Sequence, residues 1–574
     1  MFILTLITTF LYFNQEIYSM SFGGFYSIMV AGDFTLGLSF FNEYIAAIRF
    51  GHIFYLFPFI ILIILTRFKV ISFNVEYSKL KQPLFLLLMG SLFFFVSLQT
   101  VDKNFEENEG ELTYSDMELY TYMYNAQSAI KKFGLLTYTQ RDFFSLFGAD
   151  PLSESEHEIL IDNFLENQRD RHYINEYSNI FKNKNLILIM AESFDNFAIN
   201  ESLTPNLFKL QQNNASFENF YAPLYYRSTA DTEFMVQTSF YPDKNVTLSM
   251  EAYIDNNFPY TMPKLFKAEG YSTSSFHNYT DYFYPRSKFH SETLGYDNYY
   301  GSEELGLLDN PKDNDIIFDH KWQSDLEMMK LALPKFINED KFFVNFITVS
   351  GHLRYSSSHN IAQRNIDIIR QYEIDNGIEL PSEIAYYLAA NIELDKSIGY
   401  LVDSLEAADR LNDTVIMIFG DHYPYGIDKD TIWNYDEVKE DGSDSDIHNV
   451  PMIISSTSKT LDGTVSNYMS TVDVLPTVSN LFGLKLDYTK VFGKDALSSD
   501  NNIVRFADMS YVSSDFSYDS LSEEYEILND DITLNYLVSQ SHKMNTQYTY
   551  NLSILEYDYF KMDEEEEENQ DNVT

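Results

Sequence analysis

Cysteine is absent from the 574 residues. Disulfides, thiolate metal sites and thiol nucleophiles are therefore excluded. Positive charge is scarce: 39 Lys and Arg stand against 85 Asp and Glu, a formal net charge of −46. Nucleic-acid binding needs a basic face to neutralise phosphates, so that class is excluded too. The deficit is uneven. Residues 1–100 hold five Lys/Arg and four Asp/Glu, and the rest holds 34 and 81. Long hydrophobic runs are likewise confined to the first hundred residues.

Residues 53–66 and 83–98 are two apolar runs that flanking residues extend to spanning length. They predict transmembrane helices near 52–67 and 83–100, with a partial one at 2–13. Between the full runs lie Arg67, Lys69, Lys79 and Lys81, opposed only by Glu76. The positive-inside rule puts this loop in the cytoplasm and everything after residue 100 outside. A multi-pass anchor over 1–100 is thus expected in the cell membrane, bearing an extracellular catalytic domain.

Residues 101–184 read as a juxtamembrane helical linker. Residues 185–500 alternate strand-like and helical segments, the pattern of an α/β domain. Residues 501–560 predict a smaller C-terminal subdomain. Residues 561–574 include Glu564 to Glu568, a self-repelling acidic tail expected to be disordered.

Within 185–500, largely apolar runs at 185–191, 342–349 and 414–419, and the serine-rich run at 271–276 with its aromatic ends, predict buried strands of a mostly parallel sheet covered on both faces. Such sheets bind ligands beyond the carboxyl ends of their strands. Glu192, His277, His352, Asp421 and His422 all fall at those ends, and their joint position argues for a single site. Taken singly, each has a plain structural reading; a Thr before a helical run, such as Thr229 before 230–239, is most often a helix cap.

Glu192, Thr229, Asp421 and His422 together make an oxygen-rich set with one nitrogen. It suits Mn²⁺ or Mg²⁺, with Zn²⁺ also acceptable. A metal at Thr229 Oγ would turn that hydroxyl into an attacking group. A helix start after Thr229 favours a bound phosphate. His277, Arg286 and His352 could contact anionic oxygens or transfer protons.

Several of these stretches resemble the lipoteichoic acid synthases, sulfatase-like members of the alkaline phosphatase superfamily. They are Glu192-Ser193-Phe194, Ser228-Thr229-Ala230-Asp231-Thr232-Glu233-Phe234, Phe276-His277, Tyr284-Pro285-Arg286, Gly420-Asp421-His422-Tyr423 and Val472-Asp473-Val474-Leu475-Pro476-Thr477. The resemblance spans about residues 50–500. It implies a three-layer α/β/α domain preceded by transmembrane helices. It implies one divalent metal, usually Mn²⁺, on Glu192, Thr229, Asp421 and His422, with Thr229 as nucleophile. It implies that His277, Arg286, His352 and Tyr284 bind substrate. The reaction implied takes glycerol phosphate from phosphatidylglycerol and adds it to a glycolipid or polyglycerolphosphate acceptor. The family's Trp appears here as Tyr284. Two alternatives stay open on the same residues: a phosphoester or sulfate-ester hydrolase, and an inactive extracellular binding or scaffold protein.

Overall fold

In the computed structural model the described residues are 2–22, 48–68, 106–108, 111–113, 116–123, 126–145, 152–281, 284–307, 322–436, 445–457, 461–498 and 502–562, with a few isolated positions besides. They fall into two compact units, Met1–Gly148 with Ser520–Tyr525, and Ala149–Asp519 with Glu526–Thr574.

In the first unit, helix Phe2–Phe22 runs on past the apolar run at 2–13. Asn14, Gln15 and Glu16 interrupt the hydrophobicity and not the helix. Asn14 Nδ2 donates to the Phe10 carbonyl at 2.6 Å, and Tyr55 OH donates to Glu16 Oε2 at 3.4 Å. A 3-10 turn, Phe50–Leu56, leads into helix Phe57–Arg67. Phe50–Arg67 is, among the described residues, the one helical stretch long and apolar enough to cross a membrane. Ile60, Ile61, Ile63 and Ile64 turn outward, 41–52% exposed. Apolar side chains in that position are what a lipid solvent accommodates. The run at 83–98, most of the basic loop at 67–81 and the tail at 563–574 lie outside the described residues.

The second unit contains, in order, α1 (Glu154–Gln168), β1 (Asn185–Ala191), α2 (Pro205–Gln212), β2 (Ala215–Phe217), α3 (Ser228–Thr238), β3 (Ser272–His277), β4 (Asn298–Tyr300), α4 (Asp325–Phe336), β5 (Phe342–Ile347), α5 (Asn360–Asn376), α6 (Ser382–Ala407), β6 (Thr414–Gly420), β7 (Met452–Ser455), β8 (Thr464–Val465), α7 (Val474–Phe482) and α8 (Leu534–Tyr557), with shorter pieces between. Eight strands form one sheet in the order β8-β2-β7-β6-β1-β5-β3-β4. Only β7 runs against the others. The four runs singled out in the sequence are its four central parallel neighbours.

β1 shows why the sheet is sandwiched. All seven of its residues are buried. Leu186, Leu188 and Met190 join a core with Phe234 and Met235 of α3 and Val478 of α7. Ile187, Ile189 and Ala191 join the opposite core with Met328 of α4, Ile369 of α5 and Leu388 of α6. A continuous apolar strand feeds alternate side chains to both faces. The result is the expected three-layer α/β/α arrangement. Beyond it, a small antiparallel group includes Ile503–Arg505, Tyr511–Ser513 and Phe516–Asp519. Helix α8 returns to α1, where His157 Nδ1 lies 2.8 Å from Ser553 Oγ.

Candidate active site

Because β3, β5, β1 and β6 are parallel neighbours, their carboxyl ends lie side by side. Glu192 follows β1, His277 closes β3, Gly351-His352 follow β5 and Asp421-His422 follow β6. Thr229 arrives on α3. The helix starts at Ser228, two residues earlier than the sequence indicates, and Thr229 is not its cap. Its hydroxyl turns to other partners: Oγ1 donates to Glu192 Oε2 at 3.1 Å and lies 3.4 Å from His422 Nε2.

Two left-handed serines shape this junction, Ser193 at φ 53° and Ser228 at φ 40°. Such conformations cost on the order of 1 kcal/mol or more and cluster at functional sites. In the sequence Ser193 stands only as part of a motif. Here its N–H donates to Asp421 Oδ1 at 2.7 Å and its hydroxyl donates to Glu192 Oε1 at 3.0 Å. Thr232 Oγ1 donates to the Asp421 carbonyl at 2.8 Å. Gly351 and Gly420 are there for space. A Cβ on Gly351 would lie 2.1 Å from the Glu192 carbonyl oxygen, and one on Gly420 would lie 2.0 Å from that of Phe194.

Glu192, Asp421 and His422 are buried, with ligand atoms within 4.8 Å of one another. Burial, then the neighbouring Asp421, pushes the Glu192 carboxyl far above the usual range. Burial also pushes Asp421 up. Asp421 Oδ2 is buried and makes no hydrogen bond among the described residues, with His422 Nε2 standing 3.3 Å away. Two buried acids with an orphaned oxygen are costly unless a cation compensates them. A divalent ion fits the donors available, carboxylate oxygens beside a hydroxyl and an imidazole nitrogen.

The other predicted residues form two further groups. His277 Nδ1 lies 3.0 Å from the Ile347 carbonyl, which can only accept, so this nitrogen carries the proton. His277 Nε2 then accepts from Arg286 Nη1 at 3.2 Å. Burial and then the Arg286 charge hold the imidazole neutral, its pKa down at about 3. Both His277 nitrogens are thus engaged inside the protein. The Arg286 guanidinium lies over the Tyr284 ring, 4.9 Å from its centroid. His352 belongs to a separate aromatic group, its ring centroid 4.2 Å from that of Trp322. Sequence reasoning gave no role to His290, which lies between motifs and is fully buried against Glu233.

Residues 184–484 match the sulfatase family profile. That is more than half of the chain, and the chain belongs to the sulfatase family. Within it the curated relatives are lipoteichoic acid synthases. Lipoteichoic acid synthase 2 of Bacillus subtilis is 23% identical over 429 residues, covering 71% of this chain and 62% of its own length. The lipoteichoic acid synthase of Staphylococcus saprophyticus is 28% identical over 367 residues, covering 60% and 52%. The chain thus spans between half and two thirds of these relatives. The crystal structure of the lipoteichoic acid synthase LtaP from Listeria monocytogenes has the same fold, with a TM-score of 0.57, 24% identity, and coverage of 69% of this chain and 98% of that one. A protein of the alkaline phosphatase superfamily from Vibrio parahaemolyticus also shares it, with a TM-score of 0.50, 17% identity, and coverage of 71% and 97%.

Proposed function

We propose that this chain transfers glycerol phosphate from phosphatidylglycerol to a glycolipid or a growing polyglycerolphosphate chain, as a step of lipoteichoic acid synthesis. One observation carries the reading: Thr229 Oγ1, in the first turn of a helix, stands 3.1 Å from Glu192 Oε2 and 3.4 Å from His422 Nε2. A hydroxyl surrounded by ligand-type atoms is a nucleophile in waiting, and the similarity to lipoteichoic acid synthases supports the substrate class.

Glu192, Thr229, Asp421 and His422 would hold one divalent ion, Mn²⁺ ahead of Mg²⁺ or Zn²⁺. When bound, such an ion supplies the positive charge that lowers the hydroxyl pKa and neutralises phosphoryl oxygens. Thr229 Oγ1 attacks phosphorus, and the bond from phosphorus to the diacylglycerol oxygen breaks. The threonine's proton ends on the departing diacylglycerol. The acceptor hydroxyl then attacks the same phosphorus, Thr229 Oγ1 leaves, and the acceptor's proton returns to it. The start of α3 offers free N–H groups and a partial positive charge to the phosphoryl oxygens. Arg286 adds a charged donor. His277 acts through Arg286, while Tyr284 and His352 line the glycerol phosphate. Membrane anchoring near residues 52–67 and 83–100, with the catalytic unit outside, would bring this site to the lipid substrate.

The test is incubation of the protein with labelled phosphatidylglycerol and Mn²⁺. Diacylglycerol and a glycerol phosphate-bearing acceptor should appear, and intact-mass analysis should show one glycerol phosphate adduct on Thr229. Thr229→Ala should lose both. Free glycerol phosphate as the sole second product would make the protein a hydrolase instead, and an adduct elsewhere would end the threonine mechanism.

A further inference from the structure

We propose that Glu233 and His290 are positioning residues that brace Arg286, so that its outer edge faces the phosphate; the proposal rests on the transferase reading of the site. Glu233 lies four residues after Thr229, on the same face of α3. One rigid helix therefore sets both the nucleophile and, a turn later, the carboxylate behind the anion-binding arginine. Glu233 is 1% exposed and uses both its oxygens. Oε2 accepts from Arg286 Nε at 2.9 Å, and Oε1 is bonded to His290 Nε2. Gln237, one turn further on, accepts from Tyr296 OH at 3.0 Å. Tyr296 in turn stacks on His290, with centroids 5.3 Å apart and planes 22° apart. Positions 229, 233 and 237 are thus one stripe: nucleophile, brace, and support of the brace.

The guanidinium is fixed on three sides. Glu233 holds its Nε, His277 accepts from its Nη1, and Tyr284 covers a face. Nη2 makes no bond among the described residues, and it is the edge left for a ligand. His290 is carried on a π-helical turn, Phe289–Leu294, a local irregularity that recurs at functional sites. A buried ion pair is a poor way to stabilise a fold, because desolvation cancels most of its attraction. Polar side chains that hold the buried Arg286 and leave Nη2 without a hydrogen bond among the described residues serve binding better. Burial pushes the Glu233 carboxyl up, but Arg286 and then His290 outweigh it and hold it down at about 2, so the brace stays charged.

The test is a double-mutant cycle in the full chain loaded with Mn²⁺. Glu233→Gln and Arg286→Gln are compared singly and together, by calorimetric binding of sn-glycerol 1-phosphate and by turnover of phosphatidylglycerol. Glu233→Gln should weaken glycerol phosphate binding about 10- to 100-fold and leave Mn²⁺ affinity unchanged. In the Arg286→Gln background it should cost nothing more. His290→Gln, a milder change, should lose several-fold and also lose nothing further without Arg286. Additive losses, or a folded Glu233→Gln protein with wild-type binding, overturn the brace, as does a wild type that binds no glycerol phosphate. Coupled binding without any lipid cleavage would retain the brace and end the transferase reading. Normal turnover without coupling would do the reverse.

Discussion

The backbone of Gly351 rests against the carbonyl of Glu192, so closely that a Cβ on Gly351 would lie 2.1 Å from that oxygen. The loop that carries His352 and the turn that carries Glu192 are therefore locked at one spacing. Gly351→Ala should force them apart. The expected cost is roughly 1–3 kcal/mol of stability, typical of overpacking, with at least about a tenfold fall in turnover. Calorimetric unfolding with parallel kinetics would read both, and a variant matching wild type in each would show that the spacing is not needed.

Asp421 holds the orphaned oxygen of the cluster, so it should dominate metal affinity. Mn²⁺ at about a hundred times its Kd should stabilise the wild type by about 2.7 kcal/mol, by mass action alone. In Asp421→Ala that stabilisation should vanish while the metal-free fold survives, because a buried charge has been removed and not added. Thermal unfolding with and without Mn²⁺ gives the answer. An undiminished metal-induced shift in the variant would move the site elsewhere.

His277 gives the second unit an acid-sensitive component. Its pKa is held at about 3 in the fold, against 6.5 for a free imidazole. The unfolded chain therefore binds a proton that the folded one rejects. Stability from this group is fully present above pH 6.5 and is lost as pH falls from 6.5 toward 3, at up to about 1.4 kcal/mol per pH unit. His277→Gln, which can still donate to Ile347 and accept from Arg286, should lack this slope. Denaturant midpoints of the two proteins from pH 4 to 8 should diverge below 6.5; parallel curves would contradict the neutral assignment.

Orientation in the membrane can be read in intact cells. Protease added outside should remove the second unit and spare epitopes placed in the basic loop at residues 67–81. Complete protection of the second unit would reverse the topology.

The sheet was legible because β1, β5 and β6 are largely apolar over six or seven residues, as strands covered on both faces are; β3, Ser-Thr-Ser-Ser-Phe-His, carries no such run. Glu192, Asp421 and His422 were legible for a related reason: each follows directly on such a strand. The start of α3 was less so. Arg227 and Ser228 offer no apolar periodicity to mark a helix end, and Thr229 looked like the cap it is not. His277 stands at a strand end as the sequence indicates, but its bonding is not legible there. A histidine at a strand end offers two nitrogens on paper, and only the Ile347 carbonyl and Arg286 show that both are taken. His290 was invisible. It is 13 residues past its strand in an irregular turn, and only the three-dimensional contact with Glu233 gives it meaning. Helix Phe2–Phe22 runs beyond the apolar run at 2–13 because Asn14, Gln15 and Glu16 break the hydrophobicity without breaking the helix.

The clamping of Arg286 on three sides has a thermodynamic consequence for its ligand. A free arginine side chain carries about 2 kcal/mol of rotamer entropy, which an anion must ordinarily quench as it binds. Here that freedom is lost when the chain folds, long before a substrate arrives. In the proposed reaction, the encounter with a phosphate would then keep more of its interaction energy, because the arginine edge would be in place beforehand.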